Sequence, residues 1–151
     1  MRVLAVPAVP AVLLTLSLLA ACSGETSGPA PAVEVAEPVM LGNFDLNQPL
    51  RALGTEPFWA VEITPAALTW SGVDRPEQAF PNPGPEVQGT TAVYVVEQEG
   101  GPSMTVTLMA TECSDGMSDR LYPLTATVEI GDQTSNGCAQ SVAALAAEPR
   151  P

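Results

Sequence analysis

Two stretches of the chain alternate without interruption. Met104, Val106, Leu108 and Ala110 fall on one side of an extended backbone, with Thr105, Thr107, Met109 and Thr111 on the other. Leu124, Ala126, Val128 and Ile130 repeat the arrangement against Thr125, Thr127 and Glu129. Successive side chains of a strand point to opposite faces, so this period of two predicts strands with one face buried. Trp59, Val61 and Ile63 share a face opposite Ala60 and Glu62, and Leu68 with Trp70 makes a short neighbour beyond the Thr64-Pro65 turn. The run Thr91 to Glu97 is β-branched and aromatic, as in a strand buried on both sides.

Turn chemistry orders these strands. Gly100-Gly101 separates two of them, and Gly131-Asp132 links Ile130 to a last short strand at Gln133 to Cys138. Connections this short pair neighbours antiparallel. Between Arg75 and Gln88 lies RPEQAFPNPGPEVQ, whose prolines forbid a central strand and predict an ordered loop outside the sheet. The expected fold is all-β, a small antiparallel meander barrel or sandwich of roughly six to eight short strands over residues 43–140. A tail at 141–151 follows, in which Ser141 to Ala147 suits a short helix.

Upstream of the alternation the texture is different. Met1-Arg2 is a minimal basic start, Val3 to Leu19 is apolar, and Leu19-Ala20-Ala21-Cys22 sets small residues before a cysteine. Residues 1–21 resemble a bacterial lipoprotein signal peptide with its lipobox. The rival reading is a membrane span, but the run is shorter than the roughly 20 residues a span needs and carries Pro7 and Pro10. In the lipoprotein reading Cys22 is the first mature residue, carrying diacylglycerol on its sulfur and an acyl chain such as palmitate on its amine. Each buried methylene contributes about 0.8 kcal/mol, so several chains hold the protein to the membrane. Ser23, where an aspartate would retain the protein at the inner membrane, favours the outer membrane facing the periplasm if the cell is Gram-negative. Residues 22–42 are rich in Pro, Ala and Glu and read as a disordered tether, reaching up to roughly 60 Å if extended.

Composition narrows the chemistry. The chain has 17 acidic and five basic residues, no histidine, and a formal charge of −12. All of its cations are arginine, so there is no imidazole base, no Schiff-base lysine and no phosphate-cradling lysine. Such a charge repels nucleic acid and anionic lipid surfaces and draws a basic protein. With Cys22 assigned to lipid, Cys113 and Cys138 remain, and an exported domain keeps such a pair oxidised. Their bridge closes a loop of about 25 residues. A free redox pair or a soft-metal site lacks the CxxC spacing and the histidine that either would use.

Two segments are denser in special residues than a plain β-domain requires. One is Gly54-Thr55-Glu56-Pro57-Phe58-Trp59; the other runs Cys113-Ser114-Asp115-Gly116-Met117-Ser118-Asp119-Arg120 and continues to Tyr122-Pro123. With Gly137-Cys138-Ala139, they resemble a family of bacterial envelope proteins that carry GxEPFW, CSDGMSDRxYP and GCA motifs. The resemblance spans about Leu50 to Ala139 and implies a small β-domain, in some members joined to domains related to the heat-shock META lipoproteins. It implies no activity.

The residues themselves leave several readings. In the plainest, Asp115 accepts backbone N–H groups as an Asx turn, Gly116 takes a positive φ, and Arg120 bridges Asp119, Asp115 or Glu56. A calcium site built from Glu112, Ser114, Asp115 and Asp119 would lack DxDxDG phasing. A partner surface would use Met117 as its apolar contact and the carboxylates as a rim. Pro57 sets the entry of a strand in which Trp59 fills the core and Phe58 takes the other face, although Trp59 would also suit ligand stacking at an open barrel mouth. Glu56 with Asp115 or Asp119 would make a glycosidase pair only at the right separation. Tyr122 completes the candidate set. No cofactor and no metal site is expected, and the chain reads as an envelope lipoprotein that binds or supports, not an enzyme. The alternatives are an inhibitor or sensor of a cationic envelope hydrolase such as lysozyme and, less favoured, a carboxylate hydrolase.

Overall fold

A computed structural model describes residues 37–73 and 75–147. The expected signal peptide, Cys22, most of the tether and residues 148–151 lie outside the described residues. In chain order the strands are β1 (Met40–Leu41), β2 (Phe44–Asp45), β3 (Leu50–Thr55), β4 (Phe58–Ile63), β5 (Ala67–Gly72), β6 (Arg75–Pro81) and β7 (Glu86–Gln88). There follow β8 (Thr91–Val96), β9 (Met104–Met109), β10 (Cys113–Ser114), β11 (Leu121–Tyr122), β12 (Leu124–Ile130), β13 (Gln133–Ser141) and the helix α1 (Val142–Ala147).

Nine of these strands form one antiparallel sheet, in the order β6-β5-β4-β3-β13-β12-β9-β8-β7. The sheet curls into a half-barrel, as the all-β expectation requires. It is two meanders joined where the first long strand meets the last, Cys138 opposite Leu53 through Ser141 opposite Leu50. The alternating stretches behave as their pattern demands. Along β9 and β12 the positions Met104, Val106, Leu108, Leu124, Ala126 and Val128 are buried, while the intervening threonines are half-buried. β8 is a correction: Ala92, Tyr94 and Val96 face the core, but Val95 is 52% exposed, so only one side is covered.

The proline-rich stretch is another correction. Arg75–Pro81 and Glu86–Gln88 pair with β5 and β8 and are the two edges of the sheet. The proline argument holds for a central strand, where every N–H is needed, but an edge strand has one side without a partner. With β3, whose inward positions Ala52 and Gly54 are too small to register as apolar periodicity, these edges raise the count above the expected range.

The domain also begins earlier than residue 43. Leu41 is fully buried, Leu46 donates its N–H to the Val39 carbonyl at 2.8 Å, and Leu41, Leu46 and Phe44 pack onto the core. At the far end α1 forms where the tail suggested a helix, its N-terminus capped by Ser141 Oγ, which accepts from the Ala144 N–H at 3.2 Å.

Candidate functional site

The β3–β4 hairpin turns through Glu56-Pro57, joined by a cis peptide bond, with Thr55 opposite Phe58 and Gly54 opposite Trp59. Trp59 faces inward and is 5% exposed, which places it in the core. The glycines of the motifs make room for it. A Cβ on Gly54 would collide with the indole nitrogen and come within 2.8 Å of the Asn136 carbonyl oxygen. A Cβ on Gly137 would collide with the Leu53 carbonyl and approach indole Cζ2 to 2.9 Å. Neither glycine has a positive φ; both allow the indole to lie against the backbones of β3 and β13.

The segment between β10 and β11 is tied down from several directions. Cys113 and Cys138 are bridged with their Cα atoms 5.6 Å apart, which fixes β10 to β13. Tyr122 pairs with Cys113 across the short ladder and is buried. Inside the loop Asp115 Oδ1 accepts the N–H groups of Met117 and Ser118 at 3.0 and 2.8 Å, an Asx turn, and Gly116 takes a φ of 71°. Asp115 Oδ2 accepts the Ser118 hydroxyl at 2.9 Å and the Tyr122 hydroxyl at 3.1 Å. Desolvation works to raise the Asp115 pKa, but the Ser118 and Met117 N–H groups and the two hydroxyls outweigh it and hold the carboxyl at about 2. Tyr122 is pushed up by burial and by Asp115, and Arg120 opposes part of that rise. The Arg120 N–H donates to Ser118 Oγ at 3.3 Å.

This arrangement limits the chemistry. The Asp115 carboxylate is ionised and its oxygens are taken by its own loop, so it is a poor proton donor and offers little to a calcium ion. Among the described residues no three His, Cys, Asp or Glu side chains are gathered to hold a metal ion. Ser118 has no imidazole to activate it, because the chain has no histidine.

What the loop does form is one wall of a groove. Thr55 Oγ1 donates to the Asp115 carbonyl at 3.4 Å and holds the loop beside the first hairpin. Between them, on the outer face of β3, β4 and β5, lies an apolar groove of about 630 Å³ lined by Leu53, Phe58, Ala60, Val73 and Met117, with Asp115 and Ser118 at its rim. Three of the liners stand well into solvent: Phe58 is 56%, Met117 66% and Val73 69% exposed. Arg51, at one end, is held by Glu62, its cross-strand partner, at 2.7 Å.

Of the residues in the two segments that the sequence singles out, Gly54, Thr55, Phe58, Trp59, Asp115, Met117 and Ser118 line this groove. Glu56 is exposed at the hairpin tip and Asp119 is exposed in the loop. Gly116 and Tyr122 shape the loop. Leu53, Ala60 and Val73 carry no motif; the signal for Leu53 and Ala60 is the phase of β3 and β4, where every residue opposite the Trp59 face must point outward, and Val73, just past β5, has none. Comparisons of the chain with models of protein families, with curated proteins and with solved structures find no match.

Proposed function

We propose that the protein is a lipid-anchored module of a bacterial envelope that works by binding another protein through the groove beside the Asp115 loop, without catalysis. One observation carries this reading: Phe58 on the β3–β4 hairpin, Met117 in the disulfide-tied loop and Val73 just past β5 expose apolar surface around one groove. Contiguous exposed apolar surface is what a soluble domain otherwise avoids, and it marks recognition sites. The engaged state of Asp115 argues against a carboxylate hydrolase at the same place. Envelope location rests on the lipobox at Leu19 to Cys22, on the oxidised cysteine pair and on the GxEPFW, CSDGMSDRxYP and GCA motifs.

A second reading, an inhibitor or sensor of a cationic hydrolase such as lysozyme, is favoured by charge. Removal of Arg2 with the signal peptide takes the formal charge from −12 to −13. Binding to lysozyme over a salt series, strongest at low salt, is the expected result if it holds; no binding at low salt would sink it.

For the principal reading, a photo-crosslinking amino acid is placed at Phe58 or Met117 in the native envelope, with exposed Val95 on β8 as the control position. Adducts from the groove positions and none from Val95 are expected, and equal yields from all three would overturn it. Cys22→Ala should release the protein from membranes; continued membrane association would remove the lipid anchor.

A further inference from the structure

We infer that the groove takes a cationic segment of a partner protein, with an apolar side chain seated between Phe58 and Met117 and flanking Lys or Arg side chains facing the carboxylates of the two bordering turns. The inference rests on the binding reading and adds the chemistry of the occupant.

Charge separates the possible occupants. A second copy of this chain would bring its own formal charge of −12 to a surface of the same sign. Anionic lipid headgroups meet the same repulsion. A small apolar ligand is held by enclosure of most of its surface, whereas this groove is an open trough with Phe58 and Met117 projecting from its walls. Projecting aromatic and methionine side chains suit the side chains of another protein, and methionine adapts to anchors of different shape.

The rim supplies the sign. Glu56 stands exposed at the tip of the β3–β4 hairpin, two residues from Phe58, and Asp119 stands exposed two residues beyond Met117. Asp115 lines the groove itself, an anion whose oxygens are occupied by its own loop, so it contributes field and not a contact. Of the nearby cations, Arg51 is paired with Glu62 and Arg120 is drawn to Tyr122 within the loop. An apolar floor bordered by two turns that each carry an exposed carboxylate, Glu56 next to Thr55 and Asp119 next to Ser118, matches an apolar anchor between basic residues. Such a pairing places the energy at the anchor and the steering in the rim.

The test uses the full-length protein in its native envelope, carrying the crosslinking residue at Phe58, and reads the sequence of the adducted segment by mass spectrometry. The expected segment belongs to another protein, contains Lys or Arg within a few residues of an aromatic or long aliphatic side chain, and is captured several-fold less at high salt. Glu56→Gln combined with Asp119→Asn, both at exposed positions, should also lower capture several-fold. An adduct to a neutral or acidic segment, to a second copy or to lipid, or capture indifferent to salt and to the double substitution, would overturn the inference while leaving a binding groove. No adduct from either Phe58 or Met117 would overturn the binding reading itself.

Discussion

The hydroxyl of Tyr122 reaches back across seven residues to donate to Asp115 Oδ2 at 3.1 Å. A buried aromatic at the base of the loop thus secures the one carboxylate around which the loop is wound. Asp115→Asn keeps the shape but replaces an accepting oxygen with an NH2 group. The expected cost is about 1 kcal/mol, below the usual range for bonds to a charged group because the site is partly open to water. Comparing thermal melts of the two proteins checks it.

The same carboxylate predicts an acid dependence. Its pKa is about 2 in the folded chain against 3.8 as the ordinary value, so its contribution is complete above about pH 4 and is lost as pH falls through 2. Melting temperatures of the wild type and Asp115→Asn should therefore differ at neutral pH and converge at the acid end. A gap unchanged down to pH 2 would contradict the assignment.

Gly54 and Gly137 predict a steric coupling to Trp59. Gly137→Ala should destabilise by about 3 kcal/mol, because its Cβ meets the rigid Leu53 carbonyl as well as the indole. Gly54→Ala meets the indole first, so its cost should shrink when Trp59→Leu is present. A double-mutant cycle by urea denaturation measures that coupling, and additive costs would place the strain elsewhere.

Tyr94 is 1% exposed and its hydroxyl has no hydrogen-bond partner among the described residues. Tyr94→Phe should therefore be neutral or stabilising, by up to about 1 kcal/mol, because no bond is lost and a desolvated polar atom is removed. Burial raises the Tyr94 pKa from 10.0 to about 12. Its neutral form is thus favoured in the fold, and this contribution is present below pH 10 and lost as pH rises through 12. Between those values the wild type should lose stability faster than Tyr94→Phe.

The Cys113–Cys138 bridge closes a separation of 25 residues. Its removal by paired Cys→Ser substitution should cost about 3 kcal/mol on the chain-entropy model. Thiol labelling of the denatured, unreduced protein should find both cysteines blocked.

The readable parts of the fold were those where one strand carries its own signal. Met104 to Met109 and Leu124 to Ile130 show clean alternation because each faces a core on one side and water on the other. β3 escaped because its inward side chains shrink from Leu50 to Ala52 to Gly54, where the space a side chain would fill is occupied by Trp59, from the next strand. β6 and β7 escaped because proline reports a missing donor and not whether a neighbour needed one. At the site, the Asx turn and the glycine φ were legible, since both are local to Asp115-Gly116. The groove was not. Its walls come from residues 53–60, 73 and 115–118, which adjoin only once the hairpin has folded and the disulfide has brought β10 to β13.

The pairing of β3 with β13 has a consequence for the order of events during synthesis. Until Cys138 to Ser141 have been made, β3 has a neighbour on one side only and the sheet remains two separate ribbons. Residues about 90 positions apart must meet before the half-barrel exists, and such distant contacts form late and slowly. The half-barrel therefore closes only when nearly all of the domain has been made, and until then each ribbon carries an open edge where β3 and β13 will meet.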